Sequence, residues 1–391
     1  MPTTEIQENA AGLSEKKTAH PKRFTLAEKQ ACYQALRSNQ RRKLAVAIFG
    51  VFLVFSAYLF VTAGTLYVDR SKDTLWWEDA HTVSDEMKAR VRQVSSSATV
   101  VSCGTYVELL DNISLRDSTY TLTMELWFRW QGDAALDMAH NFRIYGGQII
   151  NMEMLKETHS GNDHYQRVRL SAVMDESYWT KRFPLDSHVI SCYVESAYPI
   201  EKVLLQTDTK NSDYNRFLTA AGYKIDHVEV NTFYFNYLGT HGDPEIKDEI
   251  ITSEVVTSIG IKRDGMGLYA KCFIALVGTL TWIILTLYIN TYHNVDPLNM
   301  IPGALFGTVS NILVGANLLP DALQFGLLEY VNVYGIMLIL AASMSIITVN
   351  RIRNKDHDDA FAALFGRTLF GLIIFFTIVG NVLLPWAAYL P

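Results

Sequence analysis

Polar and apolar positions along this chain follow a two-residue period in its middle and give way to long uncharged runs on either side. From Thr121 to Trp130, the residues Leu122, Met124, Leu126, Phe128 and Trp130 alternate with Thr121, Thr123, Glu125, Trp127 and Arg129, the pattern of a strand with one buried face. Similar segments recur at Val100 to Leu109, Gln166 to Met174, His188 to Glu195, Lys202 to Thr207, Val228 to Leu238 and Glu254 to Lys262. Turn residues separate them at Gly146 and Gly147, at Ser160 to Asp163 and at His241 to Pro244. Short strands with no helical pattern between them predict a β-sandwich over residues 95–263. No repeat of solenoid or propeller length is present.

The flanks read differently. Residues 44–68 carry no formal charge, and from Cys272 to Asn350 the only charges are Asp296, Asp321 and Glu329. A further uncharged run covers Thr368 to Pro391. A bilayer core is crossed by about 20 predominantly apolar helical residues. The runs therefore predict an N-terminal transmembrane anchor at 44–68 and four more spans near 271–290, 299–318, 331–350 and 368–389. The domain order is a basic tail at 1–43, the anchor, a linker at 69–94, the β-sandwich at 95–263 and a four-helix membrane domain at 264–391.

Composition agrees, with 49% hydrophobic and 19% charged residues among 391. Charge then separates the compartments. Residues 1–43 hold nine Lys/Arg against four Asp/Glu, whereas residues 70–271 hold 21 against 29. Arg41, Arg42 and Lys43 directly before an apolar run put the tail in the cytoplasm and the sandwich outside. The loop from Arg351 to Arg367 is basic and is expected in the cytoplasm; the loop from Asp321 to Glu329 has no basic residue, so the C-terminus lies outside. The tail and the apolar run are too long for an ordinary cleavable signal peptide. Anionic headgroups explain the basic tail better than nucleic acid does. Within that tail, His20 to Lys43 reads as a short helix with Thr25 as cap and Glu28 three residues on. After the anchor, Leu75 to Gln93 reads as helical or irregular; its Trp76 and Trp77 suit either an interfacial anchor or packing beneath a sheet. Four cysteines exclude a disulfide scaffold: Cys32 belongs to the tail and Cys272 begins a span, and Cys103 and Cys192 are either two buried thiols or a pair.

The residues carry no enzymatic constellation: there is no phosphate-cradling glycine loop, nucleophile elbow or HExxH. His159 and His164 share a turn-rich loop without a third ligand, and Asp243, Glu245, Asp248 and Glu249 lack the spacing of an EF-hand. The second membrane-domain helix is more informative. It opens on Asp296 and Pro297, and Asn299, Gly303, Ser310 and Asn317, with Phe306 and Leu313 between them, fall on one helical face. Amides on a span either pack against other helices or line water. Asp296 is a helix cap, part of a charge ring at a pore mouth, or both.

These residues lead to a resemblance. Arg182-Phe183-Pro184-Leu185-Asp186-Ser187-His188, entering a strand, resembles the FPFDxQ signature of pentameric ligand-gated ion channels. Lys262-Arg263 before a span resembles that family's pre-membrane arginine. Asn311-Ile312-Leu313-Val314 followed by Asn317-Leu318-Leu319-Pro320 resembles the outer end of its pore helix, and Asn112-Ile113 and Trp130 resemble early sandwich positions. The likeness covers roughly residues 95–391. No cysteine pair brackets the signature loop, which is similar to the prokaryotic branch and implies a bacterial inner membrane. Leu185 and His188 replace the usual Phe and Gln, Trp130 is followed by Gln131-Gly132-Asp133, Pro302 lies inside the pore helix, and the anchor is an addition.

The resemblance implies a homopentamer, with Asp296, Asn299, Gly303, Phe306, Ser310, Leu313 and Asn317 lining a pore for inorganic cations, and no cofactor. It implies gating and coupling by Phe183, Pro184, Asp186, Arg263 and Pro320, and agonist contacts from Tyr198 and from Tyr237 with the loop Gly239 to Lys247. The agonist would be a small molecule or a proton. The alternative from the residues alone is a non-conducting membrane sensor whose outer sandwich passes a signal to the cytoplasmic tail.

Overall fold

In the computed structural model, residues 36–80, 82–220, 222–240, 242, 249–319 and 325–389 are described, the side chains of 70–80 and of Val314 excepted. Among these residues ten strands form, where period two was legible and in places where it was not: β1 Thr99–Ser114, β2 Thr119–Gln131, β3 Phe142–Tyr145, β4 Gly147–Ser160, β5 Asp163–Asp175, β6 Ser187–Ser196, β7 Val203–Thr207, β8 Asp213–Tyr214, β9 Tyr223–Tyr237 and β10 Ile250–Arg263. They make two sheets. One runs β4-β5-β2-β1-β7, with β8 also paired to β1; the other runs β3-β6-β10-β9. Alternation on β2 is reproduced, because Tyr120, Leu122, Met124, Leu126, Phe128 and Trp130 are buried. Both sheets contribute to one apolar cluster, in which Leu126 and Phe128 of the first join Ile190, Val194, Val255 and Ile259 of the second.

Two features escaped the sequence pattern. β4 is exposed over nearly its whole length, so its composition shows no alternation, yet it pairs with β5 from Gly147↔Met174 to Ser160↔Asp163. β10 is buried on both faces, which allows Thr252, Ser253, Glu254, Thr257 and Ser258 to sit at buried positions within it. Gly104 on β1 is required by packing: a Cβ there would run into the Trp127 indole. Cys103, Cys192 and Cys272 are free and buried, with Cys192 Sγ 3.8 Å from Met124 Sδ. Residues 1–35 of the basic tail, with Cys32 and Thr25, lie outside the described residues.

Six α-helices lie among the described residues: α1 Ser38–Ala80, α2 Asp85–Val94, α3 Gly267–His293, α4 Ile301–Leu318, α5 Leu327–Lys355 and α6 Asp359–Tyr389. Five of them are long and apolar enough to cross a membrane. Ser84 caps the remaining one, α2, accepting from the Met87 N–H at 3.2 Å, with Asp85 and Glu86 in its first turn. The helices outrun the apolar windows that predicted them. The anchor continues through residues 69–80 of the expected linker, and the expected loop Arg351 to Arg367 shrinks to Asp356, His357 and Asp358. Charged residues end apolar windows without breaking helices: Arg351, Arg353 and Lys355 finish α5, and Asp358 Oδ1 accepts from the Phe361 N–H to start α6. Pro302 falls in the first turn of α4, where a missing N–H costs nothing, so the helix begins at Ile301 and Asn299 belongs to a preceding 3-10 turn, Leu298–Met300.

The chain divides into two compact units. One contains the described part of Met1–Ser56 with Leu280–Ala304 and Leu338–Thr377. There Leu44 packs with Val349, Ile352, Phe361 and Phe365, Lys43 pairs with Asp356 at 3.5 Å, and Asn290 donates to Asn350 at 2.8 Å. The other contains Ala57–Thr279, Leu305–Met337 and Ile378–Pro391. Within it the Tyr58 hydroxyl donates to the Tyr330 carbonyl at 2.8 Å, the Tyr58 and Tyr334 rings stack, and Asn311 donates to Asn332 at 2.7 Å. An interhelical amide pair of this kind is worth about 0.6 to 2 kcal/mol in a bilayer.

Candidate functional site

Three places concentrate polar chemistry. The first lies at the end of β10. Arg263 Nε donates to Asp186 Oδ1 at 2.9 Å; the guanidinium carbon stands 3.9 Å from the centre of the Tyr223 ring and 5.5 Å from that of Phe183. His188 Nε2 lies 2.5 Å from Asp186 Oδ2, and the Tyr223 hydroxyl donates to the same oxygen at 3.3 Å. Asp186 is buried and so resists ionisation, but the His188 hydrogen bond and the charges of His188 and Arg263 outweigh that and hold its carboxyl far below the usual range. Burial, with Asp186 beside it, pushes the Tyr223 hydroxyl well up. The sequence-predicted Phe183, Asp186 and Arg263 are thus brought together, with Pro184 joined to Phe183 by a cis bond. Pro320 lies outside the described residues.

The loop carrying Asp186 makes two further contacts that sequence reasoning missed. A Cβ on Gly326, directly before α5, would collide with the Lys181 backbone, so loop and helix start are in close apposition. Lys181 Nζ pairs with Asp69 Oδ1 of α1 at 2.9 Å and sits 4.8 Å from the Trp179 ring centre. Their spacing of more than a hundred residues left no signal.

The second place is the polar row across β3, β6 and β10. Strand register sets Arg143 against Glu195 and Glu195 against Glu254. The Glu195 carboxylate accepts from Arg143 Nε and Nη2 at 2.5 and 3.0 Å, from the Tyr237 hydroxyl at 2.9 Å and from the Thr252 hydroxyl at 2.7 Å. Glu254 is buried and its carboxylate meets no hydrogen-bond donor among the described residues. Burial, then the charge of Glu195, pushes its carboxyl up to about 7 against the pull of Arg143. Tyr237, whose ring also meets Phe235 edge to face with centres 4.6 Å apart, is therefore part of a polar cluster. Tyr198 is not: it packs beside the apolar core with Lys202 Nζ 3.8 Å from its ring centre. Of the loop Gly239 to Lys247, only Gly239, Thr240 and Gly242 are described. Glu195 and Glu254 each interrupt an apolar strand, which is a signal; that they face one another is decided by register alone.

The third place is an open groove of about 520 Å³ over β1, β2 and β5, lined by Tyr106, Trp127, Tyr165, Arg129, Arg167 and Asp208 among others. Its charges are paired internally. Arg167 binds Glu125, and Asp208 receives the Trp127 indole N–H at 3.3 Å with Arg129 3.7 Å away.

On the membrane-type helices, Asp296 Oδ1 accepts from the Leu298 N–H at 3.2 Å and caps the 3-10 turn. Asp296, Asn299, Gly303, Phe306, Ser310, Leu313 and Asn317 are each exposed in the single chain, Phe306 at 75%. Ser310 and Asn317 satisfy their donors on the helix itself, at the Phe306 and Leu313 carbonyls. The buried face of α4 instead holds Ala304, Thr308 and Asn311. His159 and His164 do meet, Nδ1 to Nδ1 at 2.8 Å, but no group of three metal-ligating side chains occurs among the described residues. No protein-family model matches the chain, and no curated protein matches it.

Proposed function

We propose that this chain is one subunit of a homopentameric ligand-gated ion channel that selects cations. In this reading the two sheets form a β-sandwich on the outer side of a bacterial inner membrane, α3 to α6 form the membrane domain, and α1 is an additional anchor with its N-terminus in the cytoplasm. The observation that carries it is the buried Asp186–Arg263 pair, which ties the signature loop to the last residue of β10, four residues ahead of α3. An ion pair there suits a protein in which ligand-driven movement of the sheets is passed to the spans. The unburied polar stripe of α4 supports the assembly: in a ring of five, Asn299, Ser310 and Asn317 would face water, Phe306 would form an apolar constriction, and Asp296 would set an anionic inner mouth. The chain is read as a channel and not an enzyme. Its agonist would be a small molecule or a proton, and its other partners inorganic cations and lipid.

Native mass measurement of the detergent-solubilised protein should give five chains of 44.2 kDa each. A dimer or tetramer would remove the channel reading together with its pore residues. If the pentamer forms but carries no current in reconstituted bilayers under any agonist or pH, the non-conducting sensor takes its place.

A further inference from the structure

The Glu195–Glu254 pair is not required by the pore or by the junction at Arg263, and its charges do not balance. Two carboxylates stand directly opposite on adjacent antiparallel strands, at a Cβ separation of about 5 Å. One cation, Arg143, serves both, and it donates to Glu195 and to the Tyr237 hydroxyl but not to Glu254. Among the described residues, the titratable and charged groups facing Glu254 are Glu195 and Tyr193 on β6, Arg143 on β3 and Tyr237 on β9. Both tyrosine hydroxyls are held neutral, pushed up first by burial. Glu195 has four donated hydrogen bonds for its charge, and Glu254 has none among the described residues. Ionising both leaves an uncompensated charge on a side chain only 2% exposed.

We propose that Glu195 and Glu254 form a binding site for one proton, which resides on Glu254 below neutral pH. This deepens the channel reading by naming a proton as a regulator, but the site itself stands without it. When the compartment holding the sheets acidifies through neutrality, the row changes from a net charge of minus one to zero. The change occurs beside Tyr237, whose hydroxyl holds β9 to Glu195 of β6. The ordinary carboxylate range would leave the site ionised and insensitive there; burial and the like charge bring it into the working range.

The test is a pH titration of the full chain in lipid nanodiscs by infrared difference spectroscopy, which reads the carbonyl band of a protonated carboxyl. Wild type should show such a band disappearing with a midpoint near pH 7, and Glu254→Gln should lack it. Tyr237→Phe keeps the ring and net charge but takes a donor from Glu195, so its midpoint should rise; Arg143→Gln should raise it further. The folded-state value for Glu254 lies above the unfolded one, so the associated stability is fully present below about pH 4.5 and lost as pH rises through about 7. The thermal midpoint of wild type should therefore fall relative to Glu254→Gln between pH 5 and 8. A band that persists in Glu254→Gln, or a midpoint in the ordinary carboxylate range, would overturn the site. A titrating band in a protein that carries no current would keep the proton site and sink the channel; pH-independent spectra in a conducting protein would do the reverse.

Discussion

Replacing Arg263 by alanine tests the junction most directly. Charges about 4 Å apart attract by roughly 4 kcal/mol at an effective dielectric of 20, and the Tyr223 ring 3.9 Å from the guanidinium carbon adds on the order of 1 kcal/mol. Asp186, 1% exposed, would remain buried with His188 and Tyr223 as partners. Breaking one side of a buried pair costs about 3 to 5 kcal/mol, and His188 should keep Arg263→Ala near the lower figure. Arg263→Lys retains the charge but loses the planar fork and the ring contact, so it should fall between alanine and wild type. The double variant Asp186→Asn with Arg263→Met removes both charges of the pair and should recover more than half of the alanine loss, because the carboxylate is no longer left without its guanidinium. The sign of the pH dependence also follows. The Asp186 carboxyl is held low in the folded protein, so its contribution is present above the unfolded value of about 4 and lost as pH falls through the folded one. Thermal unfolding of the full chain in detergent at pH 7, with gating current where current is found, measures these proteins together with the single variants Asp186→Asn and Arg263→Met that close the cycle. Strict additivity in that cycle would refute the coupling, because it would mean that the two side chains do not feel one another.

Two further outcomes are expected. Asp296 is the only formal charge between Lys271 and Pro320, and in the proposed pentamer five carboxylates about 6 Å from an ion would supply on the order of 3 kcal/mol before screening. Asp296→Lys should move the reversal potential in a NaCl gradient toward chloride with Asp296→Asn intermediate, and unchanged selectivity in both would leave Asp296 as a cap only. Lys181 and Asp69 are 21% and 15% exposed, so Asp69→Asn should destabilise by about 1 to 3 kcal/mol and the exchange Asp69→Lys with Lys181→Asp should restore most of it. If the exchanged pair unfolds as readily as Asp69→Asn in the same thermal assay, α1 is not held to this loop by charge.

Much of the architecture was legible because it rests on local periodicity. Alternation found β2 and its neighbours, and uncharged runs found the five long helices, since one buried face or one apolar window writes itself directly into consecutive residues. The resemblance marked Asp186 and Arg263 as coupling residues, and the two side chains are in contact. Helix ends were not legible, because Arg351, Arg353 and Lys355 close an apolar window while still completing backbone hydrogen bonds. Exposed β4 was missed for the complementary reason: a strand that buries neither face has no pattern to show, and only its pairing with β5 defines it. Tertiary structure alone decided that Glu195 opposes Glu254 and shares one arginine with it, that Lys181 reaches Asp69, and that Tyr198 packs while Tyr237 joins the acids. Each of these depends on strand register or on segments far apart in the chain, and a shift of one residue would turn the same side chains to the opposite face.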